Sequence, residues 1–297
     1  MTLLQAIRAE LPHLRLLEAE PLSKHTSFHI GGPAAMAFPD SSEALKTLFA
    51  LCRQYDRAPV LLGAGTNVLA PDQGLDRLVI CTRELAQIRD LGGGRIEAQS
   101  GVTLARLACF ARDLGLTGLE FAHGIPGTVG GGVYMNAGAY GGELCQVVVK
   151  TTAMLPDGSI WTVEGDEHRF SYRHSVFEER SAVVLSSVFQ LAAGDKEAIS
   201  ARMQELSQKR RASQPLELPS AGSTFKRPSS GYAAALIDRA GLKGKGVGGA
   251  AVSEKHAGFV VNLGGATAAD VLATMTMIQE KVYESSGIRL EPEVRIW

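Results

Sequence analysis

The amino-acid sequence predicts an α+β protein with α/β elements, and three patterns carry that prediction. Helix and strand signals alternate through the first part, strands dominate the middle, and helices return with short strands in the tail. Behind Ser41, the residues Leu45, Leu48, Phe49, Cys52 and Tyr55 recur at helical spacing, so SSEALKTLFALCRQYD reads as a capped amphipathic helix. PVLLG follows as a short strand, with LVICT (78–82) and RIEAQS (95–100) as further strands. Leu104, Leu107, Ala108, Ala111 and Leu114 then line one face of a helix. VVVKTTAMLPDGSIWTVEG predicts two strands joined by a turn at Pro156-Asp157-Gly158, and AVVLSSVFQLA (182–192) predicts another. Ile199, Met203 and Leu206 restore helical spacing in DKEAISARMQELSQKRRAS, which places a boundary near residue 193. The tail holds a helix around YAAALIDRAG, a strand in GFVVNL and a long helix behind Thr267, with Asp270 completing the cap signature. Val271, Met275, Ile278 and Val282 line that helix, and RLEPEVRIW closes the chain as a strand.

A length of 297 residues exceeds what one hydrophobic core usually organises, so two or three compact units are expected. A net charge of −1 argues against nucleic-acid or membrane partners held by bulk electrostatics. No apolar run is long enough to span a bilayer, and MTLLQAIRAELPHLRLLEAE has neither the apolar core nor the cleavage site of a signal peptide. Cys52, Cys81, Cys109 and Cys145 have apolar neighbours and no metal-ligand spacing. Buried free thiols, a cytoplasmic location and no metal centre are the expectation.

GIPGTVGGGVYMNAGAYGGE (124–143) contains eight glycines in twenty residues, interleaved with Ile125, Val129, Val133, Tyr134 and Met135. A flexible linker would be polar, so this stretch reads as a structured loop where backbone approaches a ligand. GAGTNVL (63–69) follows the strand PVLL, and Gly63 and Gly65 suit an anion-binding turn. An ordinary strand-to-loop turn accounts for GAGTNVL equally well on these residues alone. GKGVGG (244–249) matches GxGxxG literally, but a helix precedes it and a strand follows. A dinucleotide fingerprint needs the reverse order, so the match is fortuitous.

LLGAGTNVL, followed by GIPGTVGGGVYMNAGAYGGE, resembles the UDP-N-acetylenolpyruvoylglucosamine reductases, a flavoenzyme family of the wider vanillyl-alcohol-oxidase (PCMH) type. The resemblance runs from KHTSFHIGGPA (24–34) to EPEVRIW, with several motifs in the family's order. It implies FAD-binding subdomains at 1–70 and 71–192, a substrate-binding domain at 193–285, and a returning strand at 286–297. It further implies non-covalent FAD embraced by Gly63, Ala64, Gly65, Thr66, Asn67, Val68 and Leu69 on one side. On the other side stand Gly124, Ile125, Pro126, Gly127, Thr128, Gly130, Gly131, Asn136, Ala137 and Gly138. His123 is the nearest histidine to the second loop and a remote candidate for a covalent anchor.

Three side chains match the family's catalytic motifs: Arg173 in FSYRHSVF, Ser223 in SAGSTFKRP and Glu293 in LEPEVRIW. Taken singly they read as a surface arginine, a turn serine and a strand carboxylate on a wet face. Together, the resemblance implies NADPH-dependent reduction of UDP-N-acetylglucosamine enolpyruvate to UDP-N-acetylmuramate, in peptidoglycan precursor synthesis. Arg173 would clamp the substrate carboxylate with planar donors, Glu293 would donate a hydrogen bond, and Ser223 would protonate C2. Tyr172 and Lys226 are further substrate-binding candidates. Arg227 stands where the family usually has asparagine, and the stretch from Arg173 to Ser223 lacks the insertion that supplies a covering tyrosine, as in the shorter type II group. A related FAD oxidase of an alcohol or lactone, or a non-catalytic nucleotide-binding module, are the alternatives.

Overall fold

The computed structural model describes residues 1–297 as two compact units. One comprises 1–18, 35–64 and 77–209, and the other 19–34, 65–76 and 210–297. Both mix helices and strands, so the fold is α+β. The units are cut differently from the four consecutive segments expected, because two short internal pieces join the C-terminal residues. The cause is hydrophobic: Phe28, Ile30 and Leu69 are buried in one core with Phe225, Ile278 and Val294.

In the first unit an antiparallel sheet runs in the order Ile160–Glu164, Val148–Met154, Val183–Gln190, Arg95–Gln99, Ile88–Gly92. The predicted turn closes its hairpin, with the Asp157 carboxylate accepting from the Ser159 N–H at 2.9 Å. The helix Leu104–Asp113 buries Leu104, Leu107, Ala108 and Ala111. Leu114, expected on that face, is instead the C-terminal cap and is 40% exposed, because the helix stops before Gly115. A second core packs Leu45, Leu48, Phe49 and Cys52 of the helix Ser42–Gln54 with Ile80 and Leu85. The strand Val60–Leu62 lies parallel to Leu75–Cys81, in register Val60 to Val79, and delivers the chain to Gly63.

The expectation of four buried thiols needs correction. Cys52 and Cys81 are buried, and burial pushes the Cys52 thiol up to about 11 and raises that of Cys81. Cys109 is half-buried and Cys145 is exposed, since Cys145 sits in the turn after Gly142–Glu143 rather than on a core face.

The second unit is organised by the helix Ala268–Ser286, which buries Val271, Met275, Ile278 and Val282. Thr267 and Asp270 form the reciprocal cap the sequence predicts, with Thr267 Oγ1 accepting from the Asp270 N–H at 3.0 Å. The Asp72 carboxylate adds bonds to the N–H groups of Ala268 (2.7 Å) and Ala269 (3.2 Å). GKGVGG forms part of a β-hairpin, Gly246–Val247 with Ala250–Val252, and no helix follows it. Of RLEPEVRIW, only Arg295–Ile296 is regular strand. Pro292 faces Phe225 in a single antiparallel bridge, made by the flanking bonds Lys226 N–H to Glu291 O and Glu293 N–H to Thr224 O, and the alternation fails beyond Val294, where Ile296 is 49% exposed. No helix is long and apolar enough to cross a membrane.

Candidate active site

In the first unit the glycine-rich loop winds into a short helix, Val129–Tyr134, with Thr128 at its cap. Gly124, Ile125, Pro126 and Gly127 lead into it. The Ile125 N–H bonds to Ala122 O (3.1 Å), and Gly127 O accepts from the Leu104 N–H (3.1 Å). Amides at a helix start are a ready site for phosphate. Two of them are committed within the protein: Val129 N–H to Val102 O (2.8 Å) and Gly130 N–H to Ser100 O (2.9 Å). What the loop does present is hydroxyl. Thr128 Oγ1 and Ser100 Oγ are buried without a hydrogen-bond partner, although each residue is only 1% exposed. A Cβ at Gly63 would stand 2.7 Å from Thr128 Oγ1, so any larger residue there would push that hydroxyl aside. Ser100 carries no sequence signal of its own; only the fold sets it beside Gly130.

Asn136 and Ala137 follow Met135, which caps the short helix, and Gly138 starts a two-residue strand pair with Gly142–Glu143. Ala137 O accepts from the Leu144 N–H at 3.0 Å. Asn136 is 1% exposed, and its side chain is wholly engaged within the protein.

Arg173 sits at a two-residue turn closed by reciprocal backbone bonds of 3.2 Å between Ser171 and His174. Its φ of +56° lies in the left-handed region, which a long side chain occupies at a cost and which often marks functional positions. The guanidinium stacks over the Tyr172 ring at 4.9 Å, and Tyr172 is 44% exposed. His174 bonds Glu179 (2.8 Å) and Glu178 (3.2 Å), contacts that raise its pKa with Glu179 the larger cause. His123 has its Nδ1 buried without a partner, and burial lowers its pKa.

In the second unit Gly65 adopts φ +70°, and a Cβ there would fall 2.0 Å from His25 O. KHTSFHIGG supplies the partner surface. The Ser27 N–H bonds to Gly65 O (2.9 Å), and Ser27 Oγ donates to Ser220 O (2.6 Å). These are residues that sequence reasoning quotes but assigns no role. Asn67 Nδ2 donates to Glu293 O (3.2 Å), and Asn67 O accepts from the Arg295 N–H (3.0 Å). Val68–Leu69 runs parallel to Arg295–Ile296.

The Ser223 and Glu293 segments are brought side by side. Thr224 O accepts from the Glu293 N–H (2.9 Å), and the Lys226 N–H bonds to Glu291 O (2.8 Å). Ser223 is exposed, while Thr224 beside it is buried, with Oγ1 accepting from the Val260 N–H at 2.9 Å. Glu293 is half-buried. Lys226 Nζ is ion-paired with Glu291 at 2.8 Å, and the Arg227 guanidinium lies over the Tyr232 ring at 4.5 Å. Elsewhere, a polar cleft of about 100 Å³ lined by Arg89, Glu97, Gln99 and Ser186 contains none of the predicted site residues.

Two buried hydroxyls without partners, and a glycine whose Cβ would displace one of them, suit a diphosphate acceptor, so the first-unit loop fits the flavin nucleotide that the motifs imply. Comparison with known proteins agrees. Residues 33–164 match the family model of an FAD binding domain, and residues 214–297 that of the UDP-N-acetylenolpyruvoylglucosamine reductase C-terminal domain. The UDP-N-acetylenolpyruvoylglucosamine reductase of Agathobacter rectalis is 46% identical, covering 99% of this chain and 98% of its own. That of Limosilactobacillus reuteri is 45% identical, covering 97% and 96%. The crystal structure of the Thermus caldophilus UDP-N-acetylenolpyruvylglucosamine reductase superposes with a TM-score of 0.81 at 35% identity, over 96% of this chain and 99% of that one. Full-length similarity at this level, with both domain models in order, means that the chain belongs to the UDP-N-acetylenolpyruvoylglucosamine reductase family.

Proposed function

We propose that this chain catalyses NADPH-dependent reduction of UDP-N-acetylglucosamine enolpyruvate to UDP-N-acetylmuramate in peptidoglycan precursor synthesis. It does so in the cytoplasm, with non-covalent FAD, a small-molecule substrate and no nucleic-acid or membrane partner. The observation that carries the reading is the backbone pairing that sets the Ser223 segment against that of Glu293, in a chain similar to named reductases over its full length.

Residues 63–69, 124–128, Gly130, Gly131, Ala137 and Gly138 would hold the flavin, with the Thr128 and Ser100 hydroxyls free to donate to it. When bound, FAD supplies two-electron hydride transfer from NADPH to the enolpyruvyl double bond. This chain's residues handle the charge and the proton. As C3 gains hydride, negative charge moves into the substrate carboxylate. Arg173, permanently cationic and planar, meets that carboxylate with paired donors. Glu293, when it carries its proton, adds a hydrogen bond to the same oxygens. Ser223 then delivers its hydroxyl proton to C2, a step open to a weak acid because the enolate is a strong base. Tyr172 supports the guanidinium from below, and Lys226 reaches the substrate diphosphate by exchanging Glu291 for it.

An anaerobic visible spectrum tests the reading, recorded before NADPH, after it, and after the enolpyruvyl substrate. Oxidised flavin that bleaches with NADPH and returns with substrate is the expected result. Return only on admitting air would replace the reductase by an oxidase. Absence of flavin after reconstitution with FAD would leave a binding module.

A further inference from the structure

Arg173 holds a backbone conformation that its side chain does not favour, so its neighbours must impose it. Backbone bonds between Ser171 and His174 close the turn, and Ser175 Oγ donates to Tyr134 O at 2.6 Å just beyond it. One further fastener comes from inside the glycine-rich loop. Asn136 Nδ2 donates to Ser171 O at 3.2 Å, the same carbonyl that receives the His174 N–H. Its second amide proton goes to Glu143 Oε2 at 3.2 Å, and Oδ1 accepts from the Cys145 N–H at 3.0 Å. A carbonyl can only accept and a backbone N–H can only donate, so these partners fix which way the amide points. Both amide protons are used, and none is left for a ligand. Asn136 is itself left-handed, at φ +45°, a conformation asparagine tolerates better than most residues.

We infer that Asn136 is a positioning residue for Arg173: its amide ties the glycine-rich loop to the turn carrying the arginine and does not contact the cofactor. The Asn136 amide thereby fixes the loop proposed to hold the flavin to the turn proposed to meet the substrate carboxylate, next to the Ser175 bond to Tyr134 O. This rests on the proposed role of Arg173, which matters only in the half-reaction that consumes the enolpyruvyl substrate.

Asn136→Asp keeps shape and left-handed tolerance but sets a carboxylate against Ser171 O and the Glu143 carboxylate. Asn136→Gly keeps the backbone and removes the amide. Both are compared with wild type and Arg173→Lys, as holoproteins, in anaerobic rapid mixing. FAD affinity and flavin bleaching by NADPH are expected to stay within about twofold of wild type. Reoxidation by UDP-N-acetylglucosamine enolpyruvate is expected to slow by about 10- to 100-fold, the scale of an ångström-sized misplacement. Weakened FAD binding would overturn the inference in favour of a cofactor contact. Equal slowing of both half-reactions, or failure of both variants to fold with flavin, would assign Asn136 to the fold and overturn it likewise. Normal reoxidation in the Asn136 variants with a slow Arg173→Lys overturns the inference alone. Normal reoxidation in Arg173→Lys overturns the role of the arginine on which the inference rests.

Discussion

Replacing Gly65 by alanine adds a methyl group where the chain leaves no room for one. The new Cβ would lie 2.0 Å from His25 O, against a comfortable separation of roughly 3.5 Å, so two backbone segments must part by about 1 Å or more. The φ of +70° adds about 1–2 kcal/mol by itself. Parting the segments also loosens the Ser27 N–H bond to Gly65 O, which contributes about 0.5–1.5 kcal/mol. With the steric shift included, the loss should reach about 3–5 kcal/mol. Gly241→Ala is the matched control in the same unit: its φ is +70°, but nothing lies within 4 Å of the added Cβ, so about 1–2 kcal/mol is expected. The difference isolates the clash. Urea unfolding followed by Trp297 fluorescence, in a Trp161→Phe background, reads the second unit, and absorbance after gel filtration reads retained FAD. Equal destabilisation by the two alanines, with flavin kept in both, would refute the close-approach argument.

Three further outcomes are expected. Ser223→Ala should leave flavin bleaching by NADPH unchanged and slow reoxidation by substrate by about 10²- to 10⁴-fold in stopped flow; fast reoxidation would remove Ser223 as proton donor. Asp72→Ala deletes both carboxylate bonds at the start of the helix Ala268–Ser286 and should cost about 1–2 kcal/mol in urea unfolding, and an unchanged midpoint would deny the cap. Burial lowers the pKa of His168, which is 0% exposed and bonded to Thr151 Oγ1 (2.9 Å) and Gly165 O (2.8 Å). A folded-state pKa below the unfolded value means this stabilisation is complete above about pH 6.5 and is lost as pH falls through the folded value, with a limiting slope of about 1.4 kcal/mol per pH unit. His168→Gln should flatten that acid limb, and equal slopes in both proteins would refute it.

Helices and hairpins were legible in the sequence wherever a local rule governs them. Ser41 and Thr267 accept from backbone N–H groups three residues on, as their cap positions require. What the sequence could not display were partnerships across long separations. Ser27 becomes a hub only because the chain returns Gly65 and Ser220 to it. Asn136 looks like one more ligand-facing group in a glycine run until Ser171 is folded against it. The partnerless hydroxyls of Ser100 and Thr128 were half visible, since Thr128 lies in the motif and Ser100 does not. The closing strand was overread because period-two alternation does not reveal how little of it finds a pairing partner: one bridge at Pro292 and two residues beside Val68–Leu69.

Thr224 is tethered three ways: its N–H to Gly258 O, its hydroxyl from the Val260 N–H, and its carbonyl from the Glu293 N–H. Ser223, the neighbour proposed to move a proton, inherits that stillness without sharing the bonds. Its main-chain freedom is surrendered once, as the second unit folds, rather than at each catalytic cycle. An exposed hydroxyl on so anchored a backbone has only two rotatable bonds left to search with, Cα–Cβ for its oxygen and Cβ–Oγ for its proton.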